Sequence, residues 1–334
     1  MRTPVTRSGM RTASWIGLGI GVAIAVALVA WQGVNTVAGL LASTDWKLVL
    51  VAVFAVPQLL LSTASWRLLF PPEGAPRFDL ALLALWIGYS INLMLPVASL
   101  GGDVVRARLL AIWSGKPRDA VASVVVDKTV LVATLPVLGV IGSAALLRVV
   151  PDAGSLGAAL GGVIALTVTL ALLVLVQKAG VFAFLAARTV RLARRAGWEG
   201  LVARASDLDG AIRTLYRRPA RVTLSCGLRV LARLSLSGEV WLAARLLGHP
   251  ITIADAILLK SFAIVARAAA FPVPAGLGVQ EGSFVALGPL IGLPPEVALA
   301  TSLATRVREI VSSVPGLLVW QYVEGRGLWR HRAA

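Results

Sequence analysis

The chain has 334 residues, of which 57% are hydrophobic and only 14% charged, with a formal net charge of +16. A soluble protein of this length needs more polar surface, so the composition indicates a polytopic α-helical membrane protein. The single cysteine, Cys226, excludes an internal disulfide and a cysteine metal cluster, and two histidines leave little material for a metal site or a catalytic triad. We therefore predict no catalytic residue, no metal and no cofactor.

The basic residues outnumber the acidic residues by 32 to 16. We attribute this excess to membrane topology and not to nucleic-acid binding, because cytoplasmic loops of membrane proteins are rich in Lys and Arg and anionic headgroups attract them. Basic residues cluster at both termini and in the central segment 178–221. These clusters predict that all three regions lie in the cytoplasm.

Long apolar segments set the predicted spans. A bilayer core requires about 20 apolar residues per helix, and this criterion predicts spans at 14–34, 47–69, 157–177 and 295–320. Tryptophans near the ends of these segments are typical of anchors at the membrane surface; they are Trp15, Trp31, Trp46, Trp66 and Trp320.

A further long apolar segment contains the adjacent charges Asp127 and Lys128, about two helical turns inside it. A charge within a membrane span indicates a functional site by default. The alternative is a structural pair in which the two residues neutralise each other.

The segment 178–221 is basic and amphipathic. Arginines recur in it at helical spacing, at Arg188, Arg191, Arg194 and Arg195. This pattern predicts a cytoplasmic connection that lies on an anionic lipid surface. The connection divides the chain into a first membrane half, 1–177, and a second membrane half, 222–334.

Each half contains one apolar stretch interrupted by Pro and Gly. The first reads LPVASLGGD at 95–103 and the second FPVPAGLGVQEG at 271–282, and they end on Asp103 and near Glu281. Paired breaks in corresponding positions of two halves point to a transport site. We predict an all-α membrane protein with two pseudo-repeated halves, each with a broken or re-entrant helix.

A broken helix inside a bilayer exposes backbone groups that must be buried in protein or face a cavity. The exposed helix ends carry partial charges that suit ions or headgroups. We predict that Asp103 and Glu281 lie on opposite sides of a shared cavity, with Arg106, Arg267 and Arg306 as candidate partners. In the alternative interpretation the breaks are only kinks and the acids only neutralise arginines.

The second break contains four residues with predicted backbone roles. Pro272 and Pro274 end the preceding helix. Gly276 and Gly278 allow a close turn. Glu281 then lies in the first turn of the next helix, where the helix dipole favours a carboxylate.

Three motifs occur in order along the chain: NLMLPVASLGGDVVRARLL at 92–110, PVPAGLGVQEG at 272–282 and RVREIVSSVPGLLVW at 306–320. With them the chain resembles the lysylphosphatidylglycerol synthase transmembrane region, or flippase-like, family. The stretch from LLGHPITIADA to LPPEVALATSLATRVRE is similar to the hopanoid-biosynthesis-associated (HpnL-like) branch. By position, the resemblance marks Asn92, Pro96, Gly102, Asp103, Arg106, Pro272, Gly276, Gly278, Glu281 and Arg306; we add Asp127 and Arg267 as substrate-binding candidates.

The resemblance implies a lipid-handling domain of a bacterial inner membrane. Larger family members carry a soluble synthase domain that we do not expect in this chain, so aminoacylation is not implied. The expected function is translocation of a polar-headed lipid, such as a hopanoid or a phospholipid, with membrane lipids as partners. The alternatives are an enzyme that modifies a lipid headgroup and a scaffold that binds lipid-biosynthesis enzymes.

Overall fold

A computed structural model describes residues 39, 44–70, 74–95, 101–151, 153–178, 199–270, 273 and 276–332. All regular secondary structure in these ranges is helical, which confirms the predicted fold class. A 3-10 segment, Asp45–Phe54, precedes eleven described α-helices. They are α1 (Ala55–Arg67), α2 (Phe78–Met94), α3 (Gly101–Ser114), α4 (Pro117–Leu146), α5 (Ala153–Lys178), α6 (Glu199–Tyr216), α7 (Pro219–Leu234), α8 (Ser237–Leu246), α9 (Ile253–Ala269), α10 (Val279–Leu287) and α11 (Pro295–Arg332).

Two of the described helices are long and apolar enough to cross a bilayer. They are Trp46–Arg67, which joins the 3-10 segment to α1, and Pro117–Leu146, which is α4. The first coincides with the predicted span 47–69. Phe78–Met94 is apolar but shorter. The predicted span 14–34 lies outside the described residues.

Local sequence signals explain where two site-bearing helices begin. Pro117 occupies the first turn of α4, where the missing N–H is not needed for a helical hydrogen bond. Thr252 and Asp255 form a capping box at the start of α9: the Thr252 Oγ1 accepts a hydrogen bond from the Asp255 N–H at 3.2 Å, and the Asp255 carboxylate accepts one from the Thr252 N–H at 3.0 Å. The capping box satisfies backbone donors that the helix leaves free.

The first predicted break separates α2 from α3, and α3 packs back along α2. The two helices meet at Gly88 and Gly102, where a Cβ added to Gly102 would lie 1.9 Å from the Gly88 carbonyl oxygen. The 17 residues of α2 and 14 of α3 reach about 25 and 21 Å at 1.5 Å per residue. Both lengths are below the bilayer core of about 30 Å. Pro96 lies outside the described residues.

The second predicted break separates α9 from α10. Gly276 and Gly278 have φ angles of +60° and +76°, in the left-handed region that residues with a side chain rarely adopt. The predicted turn role of both glycines is confirmed. Helix α10 has only nine residues, about 14 Å, and is too short to cross a bilayer core. Pro272 and Pro274 lie outside the described residues.

The predicted halves pack against each other. Helix α7 packs against α1 and α4, α9 packs against α4, and α11 packs against α2. Each of these contacts joins a helix of the predicted second half to one of the first half. The pseudo-repeat and the division at 178–221 stay predictions.

Trp66 corrects one expectation from the sequence. Its side chain is fully buried and donates a hydrogen bond from Nε1 to the Ser123 hydroxyl at 3.2 Å. Trp66 is therefore a core residue and not a surface anchor. Trp46, in contrast, is 70% exposed, as an anchor at the membrane surface requires.

Candidate functional site

Two clusters of charged side chains lie inside the described helices. The first network lies between α2, α3, α4 and α7 and comprises Asn92, Asp103, Arg106, Asp127, Lys128 and Arg229. The second network lies between α8, α9, α10 and α11 and comprises Glu239, Lys260, Arg267, Gln280, Glu281, Arg306, Arg308 and Glu309. Among the described residues, no ion pair joins one network to the other.

Asp103 is the acid of the first break, in the first turn of α3. Its carboxylate binds the Arg106 guanidinium at 3.0 Å and the Lys128 ammonium at 2.7 Å. Asn92, near the end of α2, accepts a hydrogen bond from the Gly102 N–H at 2.8 Å. The Asn92 side chain thus satisfies a free backbone donor at the start of α3 and ties both sides of the break together.

Asp127 is the buried centre of the first network, with 3% of its surface exposed. It binds Arg106 at 2.8 Å and also pairs with Arg229 of α7. The Arg106 guanidinium lies 4.9 Å from the Trp66 ring centroid, within the range of a cation–π contact. Two arginines therefore share one carboxylate inside the protein.

Asp127 and its neighbour Lys128 pair with different residues of other helices and not with each other. Asp127 pairs with α3 and α7, and Lys128 pairs with Asp103. Successive residues of an α-helix point about 100° apart, so two adjacent side chains reach different neighbours. The structure thus favours cross-helix pairing over the alternative of a self-neutralised pair.

Glu281 is the acid of the second break and is 1% exposed. It lies in the first turn of α10, as predicted. Its carboxylate accepts hydrogen bonds from Arg306 Nε at 3.0 Å and Arg306 Nη2 at 3.3 Å. Arg306 Nη2 also donates to the Gly276 carbonyl at 3.2 Å. One arginine of α11 therefore holds both the acid and the backbone of the break.

Glu309 joins the arginines of the second network. It binds Arg267 and Arg306 at 2.8 Å each and lies 3.5 Å from Arg308. Arg267 also donates to the Gln280 side-chain oxygen at 2.8 Å. Glu309 was not among the predicted site residues, although its spacing of three from Arg306 is the usual signal for a pair on one helix face.

A further buried group extends the second network towards α2. Glu239 pairs with Lys260 at 2.5 Å and with Arg308. Arg308 donates to the Tyr89 hydroxyl of α2 at 3.0 Å. The prediction from sequence missed this group, and the available signal was the presence of isolated charges in otherwise apolar helices.

The structure gathers most of the predicted site residues at these two networks. Asn92, Gly102, Asp103, Arg106 and Asp127 meet in the first. Arg267, Gly276, Glu281 and Arg306 meet in the second, and Gly278 precedes the first residue of α10. Of the three candidate partners, Arg106 pairs with Asp103 and Arg306 pairs with Glu281, whereas Arg267 pairs with Glu309. A role in substrate binding, and a cavity shared by the two acids, stay predictions.

The chemistry of both networks is that of paired charges. Within the described residues, no group of three or more His, Cys, Asp or Glu side chains is arranged to hold a metal ion. Charges in an apolar helical core are costly unless they are paired, and both networks meet that condition by pairing each carboxylate with at least one cation. An arrangement of this kind can exchange an internal partner for a charged group of a ligand.

The helical fold with charged networks at its helix breaks defines a helical membrane protein. The model of the family described as the lysylphosphatidylglycerol synthase TM region matches residues 18–316, and the chain belongs to this family. The family resemblance drawn from the three motifs is thereby confirmed. Comparisons with curated proteins and with solved structures give no match. Membership of the hopanoid-biosynthesis-associated branch stays a prediction.

Proposed function

We propose that the protein moves a polar-headed lipid between the two leaflets of a membrane. The observation that carries this proposal is the coincidence of helix breaks with buried charge. Asp103 lies where α3 begins and Glu281 lies where α10 begins, and each is paired with arginine. Structural kinks need no such charge, whereas a polar headgroup that crosses an apolar layer needs polar partners on its way.

The proposed mechanism is partner exchange. In the structure, Arg306 holds Glu281 and Asp103 holds Arg106. A zwitterionic or anionic headgroup offers a charge that replaces one member of such a pair, so the desolvation cost of the headgroup is offset. The short helices α3 and α10 place their N-terminal dipoles beside the same carboxylates.

The proposed setting is a bacterial inner membrane with both termini in the cytoplasm. The basic segment that contains Arg188, Arg191, Arg194 and Arg195 lies outside the described residues, and its binding to an anionic lipid surface is part of the proposal. The lipid is a phospholipid or a hopanoid. Lipid-biosynthesis enzymes are proposed as further partners.

The test is reconstitution into vesicles that contain a fluorescent phospholipid analogue. Impermeant dithionite bleaches only the outer leaflet, so about half of the fluorescence survives unless the protein moves lipid. With the wild-type protein we expect dithionite to bleach the inner-leaflet fluorescence as well. With Glu281→Gln we expect the inner-leaflet fluorescence to survive. Glu296→Gln is the matched control, because Glu296 lies in the first turn of α11 and belongs to neither network.

The same vesicles separate the two alternatives. An enzyme changes the mass of the headgroup, which mass spectrometry of the recovered lipid detects. A scaffold leaves both the mass and the leaflet of the lipid unchanged. Translocation would be contradicted if the inner-leaflet fluorescence survives dithionite with correctly folded wild-type protein, for phospholipid and hopanoid analogues alike.

A further inference from the structure

Arg233 lies in the last turn of α7 and belongs to neither network. It follows Arg229 by four residues, so the two side chains leave the same face of the helix. Its electrostatic neighbours are Arg229 and Asp127 of the first network and Arg267 of the second. Arg233 and Arg229 therefore lie on one face of α7, within electrostatic range of Arg267.

Arg233 differs from its neighbours in pairing. Arg229 pairs with Asp127, and Arg267 pairs with Glu309. Within the ranges that the structure describes, Arg233 forms no ion pair, and its Nη1 atom is buried without a hydrogen-bond partner. The Nε atom of Arg229 is likewise buried without a partner. Unused N–H donors thus occur on both arginines of this face of α7.

The nearby carboxylates are already engaged. Asp127 is shared by Arg106 and Arg229, and Glu309 is shared by Arg267 and Arg306. Neither carboxylate has an ion pair with Arg233, so its charge adds to those of Arg229 and Arg267. The region around Arg233 carries an uncompensated positive charge.

The Arg233 side chain as a whole is partly buried, but its Nη1 atom is fully enclosed. An enclosed N–H donor without a partner is costly, because it has lost water and gained no hydrogen bond. Perturbed and uncompensated charges of this kind concentrate at functional sites. The chemistry of the missing partner follows from the donor. A guanidinium offers a planar fork of N–H groups that fits the oxygens of a phosphate or carboxylate and stays charged at any physiological pH.

We propose that Arg233 binds the phosphate group of a lipid headgroup, with Arg229 Nε as a second donor. The inference rests on the proposed lipid function and deepens it, because it assigns phosphate as the group that this protein selects. A neutral headgroup, such as the hydroxyl of a simple hopanoid, supplies no anion for this position. The site lies on α7 and includes Arg229 of the first network, whereas the proposed exchange of partners takes place at the acids of the two helix breaks.

The first measurement concerns stability without lipid. Removal of the unpaired charge by Arg233→Gln should leave the melting temperature of the delipidated protein unchanged or raised. Arg229→Gln should lower it, because Asp127 loses a partner. A melting temperature that falls in Arg229→Gln but not in Arg233→Gln supports a ligand-binding role for Arg233. An equal fall in both variants would show that Arg233 has a structural partner and would overturn the proposal.

The second measurement is lipid binding by native mass spectrometry of the full chain, with phosphatidylglycerol as the probe and a neutral galactolipid as the contrast. We expect phosphatidylglycerol affinity to fall at least tenfold in Arg233→Gln and to be partly retained in Arg233→Lys. Galactolipid binding should be the same in all variants. Arg245→Gln is the matched control, since Arg245 is exposed and packs over Trp241. Phosphatidylglycerol affinity unchanged by Arg233→Gln would overturn the proposal.

Inorganic phosphate distinguishes the source of the anion. If it raises the melting temperature of the wild-type protein but not of Arg233→Gln, and displaces phosphatidylglycerol, the site accepts free phosphate as well as the headgroup. If it has neither effect while phosphatidylglycerol binding depends on Arg233, the site requires the lipid. If phosphatidylglycerol binding depends on Arg233 but the vesicle assay shows no translocation, the proposed function is contradicted and the phosphate site is not.

Discussion

The Arg229 guanidinium of α7 is ion-paired with the Asp127 carboxylate of α4, and both side chains are buried. The two residues are 102 positions apart in the sequence, on opposite sides of the basic connection. Removal of either residue is costly, because the other charge would remain in an apolar environment without its partner. Asp127 therefore holds the two predicted halves of the protein together.

Asp127→Asn should destabilise the protein strongly. Both Arg106 and Arg229 lose a carboxylate, and removal of one partner from a buried ion pair typically costs about 3–5 kcal/mol. Unfolding of the purified protein, followed by tryptophan fluorescence and size-exclusion profile, measures the loss. Asp79→Asn is the control, because Asp79 pairs with Arg77 on an exposed surface; a loss of stability as large as that of Asp127→Asn would contradict the assigned role.

Glu281→Gln and Glu309→Gln should separate transport from folding. In Glu281→Gln, Arg306 keeps its contact of 2.8 Å with Glu309, so insertion and abundance should stay near the wild-type level while lipid movement is abolished. In Glu309→Gln, Arg267 and Arg306 lose their shared carboxylate and the protein should be destabilised, by about 3–5 kcal/mol. Protein level in membranes and the vesicle assay give the two readouts. Wild-type transport by Glu281→Gln would show that the carboxylate is structural only.

Gly102→Ala should disrupt the crossing of α2 and α3. The added Cβ would overlap the Gly88 carbonyl oxygen at 1.9 Å, so the two helices must separate. We expect lower stability and loss of the Asn92 cap. Gly227→Ala on α7 is the matched control: its Cβ meets no atom within 4 Å, and helix propensity favours alanine by about 0.5–1 kcal/mol. Equal thermal stability of the two variants would contradict a tight crossing.

A synthetic peptide of residues 186–197 should bind anionic vesicles through its arginines. The expected contribution is about 1 kcal/mol per basic residue near the surface, and screening should release the peptide as the salt concentration rises. Vesicle co-sedimentation measures binding. Neutral vesicles are the control, and equal binding to both kinds would refute an electrostatic attachment.

The sequence predicted those features whose causes are local. Helix breaks were predicted because Pro and Gly act on their own backbone, and the turn at Gly276 and Gly278 has the positive φ angles that this requires. Arg267 and Arg306 were both predicted candidates for Glu281, and the structure pairs it with Arg306. The long span containing Asp127 was predicted from hydropathy alone.

Features that depend on helix packing could not be predicted in this way. Hydropathy gives the position of a helix along the chain but not its rotation or its neighbours, so the partners of Asp127 on α3 and α7 were not assigned. Trp66 was expected at the membrane surface because a position near the end of a span fits a surface anchor as well as it fits a core residue. Packing against Arg106 and Ser123 buries it instead. Arg233 could not be recognised because its distinguishing property is the absence of a neighbour's carboxylate.

The contact of Gly88 with Gly102 has a mechanical consequence. Two helices in backbone contact interlock, and neither sliding nor rotation of one against the other is possible without a clash. Helices α2 and α3 therefore move as a rigid unit. An opening of the first network to the membrane then requires rocking of the whole hairpin about the surfaces where it meets α1, α4 and α11.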